Sequence, residues 1–207
     1  MPVRPKVVAT IAIVAVAAGM LLARAAMNTP DPVPALTKAT LLTPVKSLPD
    51  FALLDQDSKP FDRARLERHW SLLFFGFTRC PDICPTTLGL LSQVQRQLSD
   101  LPASQRPQVV LVSADPQRDS AAQLRPYVRF FNPDFIGVTG GDAAIQHLAR
   151  AMGVSITMRP LANGDYTVDH STAIFLVDPN GAMRAVFSTP HSPNVIADDY
   201  RRILTTD

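Results

Sequence analysis

The chain has 207 residues, 46% of them hydrophobic and 18% charged, a balance that excludes intrinsic disorder and allows a core of its own. A chain of this size does not need its two cysteines as a disulfide framework, so they call for another explanation. The formal net charge is +2, but Arg4, Lys6 and Arg24 all precede the first acidic residue, Asp31; without those three the acidic residues slightly outnumber the basic ones, and no nucleic-acid footprint remains.

From Val7 to Ala23 there is no charged residue, and Arg4 and Lys6 stand in front of the run. Its length suits a retained transmembrane helix, expected within residues 1–26, better than a cleaved signal. Ala23-Arg24-Ala25 leaves a small-x-small cleavage site open. Basic residues ahead of the run predict an anchor in the inner membrane with the N-terminus cytoplasmic. The remainder then lies on the periplasmic or extracytoplasmic side, where the cysteines meet an oxidising compartment. Residues 27–47, with Pro30, Pro32, Pro34 and Pro44, read as a Pro-rich tether. The folded domain is expected over residues 48–207.

Within that domain, Phe51 to Leu54 and Phe61, around the polar turn Gln56 to Pro60, predict a short strand pair. The continuous apolar run Ser71 to Phe77 predicts a central strand covered on both faces. A helix follows, with Pro85 as its first residue and Leu88, Leu91, Val94 and Leu98 spaced along one buried face. Gln108 to Asp115 predicts a second buried strand, parallel to the first. Next come a helix over Ser120 to Phe131, a strand over Phe135 to Val138 and a helix over Asp142 to Met152. After an irregular polar stretch, Ala173 to Val177 and Met183 to Phe187 flank Asp178-Pro179-Asn180-Gly181 as a hairpin. A closing helix over Pro193 to Leu204 completes an alternating α/β sheet with an antiparallel edge.

Both cysteines lie just after the expected central strand, at the entrance of the next helix, where open α/β sheets bind ligands. Pro85 disfavours a helical conformation for Cys84, which makes Cys84 the expected helix cap and puts Cys80 in the preceding loop. A thiol at a helix N-terminus has a lowered pKa, and the thiolate is both nucleophile and metal ligand. Three residues apart, the sulfurs can meet in a disulfide or on one metal ion. A purely structural disulfide closing so short a loop would stabilise little, and the histidine spacing does not make a zinc finger. Of the four histidines, His147 and His191 read as surface residues and His69 as structural, at the far end of the sheet. His170, just before an apolar strand, is placed to reach the cysteine face.

The segments FFGFTRCPDICPTTL (74–88), SADPQRD (113–119), IGVTGG (136–141) and DHSTAIFLVDPNG (169–181) resemble the Sco/SenC family of copper-binding assembly factors for cytochrome c oxidase. The resemblance implies a thioredoxin-like fold, here with the N-terminal strand pair as an extension, and suits the expected anchor and tether. It implies copper, as Cu(I) or Cu(II), held by Cys80, Cys84 and His170. It also implies delivery to, or thiol reduction at, the binuclear copper centre in the copper-bearing subunit of the oxidase, with other copper chaperones or thioredoxin-like reductants as further partners. Ala114 departs from the family, where a larger aliphatic residue is common; Asp115 and Asp119 are retained. Two soft thiolates and an imidazole suit Cu(I), and an added oxygen ligand would suit Cu(II). Asp169 stands as an orienting partner for the imidazole or as a solvated carboxylate. Asp82 reads as a turn residue, and Met152, Met158 and Met183 as core.

The competing function is that of a membrane-anchored thiol-disulfide oxidoreductase reducing a partner's cysteines with the Cys80–Cys84 redox pair, or of a thiol peroxidase. The spacing is one residue longer than Cys-x-x-Cys, and Thr78 lies two rather than three residues before Cys80, off the peroxiredoxin signature. A third reading, a binding module with an inert disulfide, predicts an unreactive cysteine pair.

Overall fold

The structure, a computed structural model, describes residues 15–21, 24, 36–162 and 164–205. In the N-terminal unit, residues 15–21 and 24 are helical, and the remainder of the expected anchor and the first part of the tether lie outside the described residues. Among the described residues, no helix is long and apolar enough to cross a membrane. The second unit spans Ala35–Thr205 and carries the fold.

Its strands are β1 (Ala39–Ser47), β2 (Ala52–Asp55), β3 (Pro60–Asp62), β4 (Ser71–Gly76), β5 (Gln108–Ser113), β6 (Ile136–Thr139), β7 (Ile156–Pro160), β8 (Tyr166–His170), β9 (Ile174–Val177) and β10 (Ala182–Phe187). The helices of this unit are α1 (Ile83–Gln97), α2 (Ala121–Phe131), α3 (Asp142–Ala151) and α4 (Pro193–Leu204). Eight strands form one sheet in the order β1-β10-β9-β4-β5-β6-β2-β3, while β7 and β8 form a separate two-stranded sheet. β4, β5 and β6 run parallel and their large-sheet neighbours antiparallel.

β4 is buried throughout because both of its faces are covered. Leu72 and Phe74 join the core under α1, α2 and α4, while Leu73 and Phe75 join the core under α3 and the strand pair β2–β3. The four residues expected on the buried face of α1, Leu88, Leu91, Val94 and Leu98, are fully buried. The strand pair and the β9–β10 hairpin form as expected, the latter turning at Gly181, whose φ of 71° is a conformation that favours glycine.

Three expectations are corrected. First, the folded unit begins ahead of Leu48, because part of the supposed tether is strand β1, paired antiparallel with β10. Pro44 argued for a tether, yet it sits in an edge strand where the register shifts between Leu41 and Lys46, a place that tolerates proline. The buried Asp199 of α4 holds this segment by accepting backbone N–H bonds from Thr37, Lys38 and Ala39 at 2.8–3.1 Å. Burial alone would raise its pKa, but those bonds and nearby Arg202 bring it below the usual carboxylate range.

Second, α1 starts at Ile83, two residues before Pro85. Proline is tolerated there because first-turn N–H groups have no intrahelical acceptor, so its missing donor costs nothing. Third, the polar stretch after α3 contains the β7–β8 hairpin. Its strands are exposed or half-buried, with Val168 alone buried, so they lack the alternation that would reveal them.

Candidate metal site at the carboxyl end of the central strand

β4 ends at Gly76, and the next six residues turn into α1. The Cys80 N–H donates to the Phe77 carbonyl at 3.2 Å, closing a turn that leaves Cys80 half-buried. Cys84, one residue inside the helix, is 1% exposed and packs with Phe77, Ala114 and Val168. A side chain at Gly76 would put its Cβ 3.0 Å from Cys84 Sγ and 2.9 Å from Leu111 Cδ1, so glycine gives the sulfur its seat on the sheet. Both cysteines are free thiols, and the Cys84 N–H donates to Cys80 Sγ at 3.3 Å.

The lowered pKa expected at the helix entrance is not found at Cys84. Burial pushes its thiol far above the ordinary value of 9.0 and the hydrogen bond with Cys80 adds to this; a backbone bond from Phe77 opposes it without prevailing. Desolvation therefore outweighs the helix dipole. Cys84 is held as a neutral thiol, and becomes a thiolate only when a base accepts its proton or a metal cation displaces it to a base or to water.

His170, the last residue of β8, points at this thiol with Nε2 3.7 Å from Cys84 Sγ. Its Nδ1 lies 2.8 Å from the Ser171 carbonyl, which can only accept, so Nδ1 carries the proton and Nε2 presents its lone pair to the cysteine. Burial lowers the imidazole pKa, more than the Ser171 carbonyl and Asp169 raise it, which keeps the ring neutral. The ring also meets Phe77 edge-on, with centroids 5.9 Å apart. Two ligands of one trigonal ion, at bond lengths of about 2.3 Å to sulfur and about 2.0 Å to nitrogen, would stand roughly 3.7 Å apart. The Cys84–His170 pair has that spacing. Among the described residues no group of three His, Cys, Asp or Glu side chains is already gathered as a metal cage. Cys84 and His170 therefore form a two-donor seat, and Cys80 stands at the rim of a cleft of about 210 Å³ that His170, Pro81 and Ile83 also line.

The other candidates fall away from this point. His69 and His147 are exposed, whereas His191 places Nε2 2.8 Å from the Thr172 carbonyl and so braces the loop after His170. Asp169 turns outward to Arg159 at 3.2 Å, and the orienting role weighed for it belongs to the Ser171 carbonyl. Asp82 occupies the N-cap position without a side-chain cap: its carbonyl accepts from the Thr86 N–H at 3.1 Å and its carboxylate from Thr86 Oγ1 at 3.3 Å. Met152 and Met183 are core residues as expected, but Met158 is 40% exposed on β7.

A set of polar residues behind the site was not assigned from the sequence. Asp119, fully buried, accepts from the Thr78 N–H and Oγ1 and from Ser113 Oγ at 2.5–3.3 Å. Burial still raises its pKa despite those bonds. Ser113 Oγ accepts from the Asp115 N–H at 3.0 Å, and the buried Asp115 carboxylate pairs with Arg118 and accepts from Tyr166 Oη at 2.8 Å. Two acids and an arginine at the end of an apolar strand were the available signal; Tyr166, in an unassigned stretch, gave none.

A family model described as SCO1/SenC matches residues 41–205. A protein named putative copper-binding protein from Stutzerimonas stutzeri is 41% identical over 72% of this chain and 73% of its own length. The SCO2 homolog, mitochondrial, of Bos taurus is 40% identical over 74% of this chain, which spans 58% of that protein. Among solved structures, Arabidopsis thaliana ScoI with copper bound superposes with a TM-score of 0.72 at 31% identity, covering 76% of this chain and 98% of that one.

Proposed function

The chain belongs to the SCO1/SenC family, with its thioredoxin-like α/β fold, and from that premise we propose that it is a copper metallochaperone whose cargo is held by Cys80, Cys84 and His170. The observation that carries the reading is the neutral imidazole lone pair 3.7 Å from a buried thiol. Copper supplies a soft cation that favours two thiolates and one imidazole in the Cu(I) state. Each residue then has a distinct task. Cys84 gives up a proton that burial otherwise holds on the sulfur, so loading is coupled to proton release. His170 binds without losing a proton, because Nε2 is already bare. Cys80, half-buried at the cleft, is the donor that an incoming thiol reaches first, and Ile83, 47% exposed, gives the rim an apolar contact.

The recipient implied by the family resemblance is the binuclear copper centre of cytochrome c oxidase. The apolar run behind Arg4 and Lys6 supports an anchor in the inner membrane with the domain on the periplasmic side. Anaerobic Cu(I) loading of the reduced chain, followed by metal analysis, tests the copper reading. One tightly held ion per chain, lost in Cys84→Ser, is the expected result, and a chain that retains no copper overturns it.

A second reading is favoured by the asymmetry of the two sulfurs. A half-exposed Cys80 beside a buried Cys84 is an arrangement for attack and resolution. In that case the Cys80 thiolate opens a partner disulfide, Cys84 closes the mixed disulfide, and two electrons and two protons pass to the partner as the pair is oxidised. An altered thiol pKa and exchange rate in His170→Ala, with copper incidental to the wild type, would favour it.

A further inference from the structure

The β7–β8 hairpin lies outside the main sheet, yet it must hold His170 against a helix built on that sheet. Its apolar hold is small, centred on Val168, with Ile156 and Tyr166 partly buried. At the other end of β8 the attachment is polar. Arg118, from the loop after β5, donates through Nη1 to the Tyr166 carbonyl at 3.0 Å and to Asp165 Oδ1 at 2.9 Å, and its guanidinium lies 3.6 Å from the centre of the Tyr166 ring. The same guanidinium pairs through Nε with Asp115, which also accepts from Tyr166 Oη. From Asp115 the bonds run through Ser113 to Asp119 and on to Thr78, two residues before Cys80.

Resting on the copper reading above, we propose that this buried relay from Thr78 to Tyr166 sets the distance between the His170 arm and the cysteine helix, with Arg118 as its positioning residue. The relay touches no metal donor, but it grips both pieces of chain that carry them. Ser113, Asp115 and Asp119 are fully buried, so their geometry is fixed by the strand end they occupy. Arg118 meets four groups of three residues with one planar guanidinium, a task the point charge of lysine cannot repeat.

The test uses Arg118→Lys, which keeps the charge opposite Asp115, and Tyr166→Phe, which keeps the ring and removes only the Asp115 bond. On the copper-free full chain, amide exchange in β7 and β8 should rise in Arg118→Lys, and less in Tyr166→Phe, while β4 and α1 keep wild-type protection. On the loaded chain, Cu(I) affinity measured against a competing chelator should fall roughly tenfold in Arg118→Lys, as for other residues that orient metal ligands. The Cu(II) paramagnetic resonance spectrum should shift toward a site with weaker nitrogen coupling. Wild-type exchange in β7 and β8 overturns the proposal. So does faster exchange with wild-type affinity and spectrum, which would leave the relay a scaffold without influence on the donors. A wild-type chain that takes no copper fails the copper reading instead.

Discussion

Cys84 and His170 stand 3.7 Å apart but reach that point from regions of opposite construction. The cysteine side is a central strand, a six-residue turn and a fifteen-residue helix, packed between two apolar cores. The histidine side is a pair of five-residue strands, exposed or half-buried except at Val168 and tied by a few polar contacts. The sulfur is therefore held by packing and the imidazole by directional bonds, so a disturbance of given size moves the second donor further than the first. Such a division suits a site that must grip a metal ion and also release it.

The largest expected effect separates the two donors directly. Cys84→Ser should abolish tight copper binding in both oxidation states. His170→Ala should weaken Cu(II) binding far more than Cu(I), because two thiolates still satisfy Cu(I). Equal losses for both ions in His170→Ala, measured by competition and by paramagnetic resonance, would mean that the arm matters no less than the helix to the thiolate-bound state.

Gly76→Ala sharpens the packing side. A Cβ 2.9 Å from Leu111 Cδ1 and 3.0 Å from Cys84 Sγ must push one of them aside. The expected cost is about 1–3 kcal/mol in denaturant unfolding, with slower copper uptake as the sulfur leaves its seat. A variant as stable as wild type would show that the cysteine side is less rigid than its burial implies.

Asp199→Ala tests whether the hold on the edge strand β1 is independent of the site. Loss of the carboxylate leaves three backbone N–H groups at the start of β1 without their acceptor, costing about 1–3 kcal/mol, while copper affinity should not change. The stabilisation from this lowered pKa is present above pH 3.8 and is lost as pH falls through the folded-state value, so the variant should flatten the acid limb of a stability profile.

The smallest effects come from pH in the copper-free chain. The Cys84 pKa is raised on folding, so its contribution is intact below pH 9.0 and stability should fall above it, by at most about 1.4 kcal/mol per pH unit for one proton. Cys84→Ala should remove that alkaline limb. The His170 pKa is lowered, so its contribution is lost as pH drops below the ordinary 6.5, and His170→Ala should remove a shallower limb there.

The cysteine side was legible in the sequence because burial writes itself into composition. A strand covered on both faces reads as SLLFFG, and a helix with one buried face repeats Leu88, Leu91 and Val94. His170 was found through its place before an apolar strand and through the Asp-His-Ser resemblance, while the hairpin that carries it was not, since strands with one buried residue between them leave no period. β1 was hidden for a different reason: its hold on the fold depends on Asp199, 160 residues away from Ala39, and no local pattern announces such a contact. The direction of the Cys84 pKa was misjudged because helix-start position is visible in sequence and depth is not. Depth decided it.

β1 begins level with the upper half of β4. Ala39 pairs with Phe187, Phe187 with Ile174, and the next residue, Phe175, pairs with Leu73, so the strand starts toward the cysteine end and runs away from it. β1 therefore enters the sheet on the side of the cysteine turn, and the exposed Arg68 and His69 mark the opposite pole. A pull on the first residues of β1 would thus load the sheet from the end that carries Cys84 and His170, and the Asp199 carboxylate that grips Thr37 to Ala39 would bear it first.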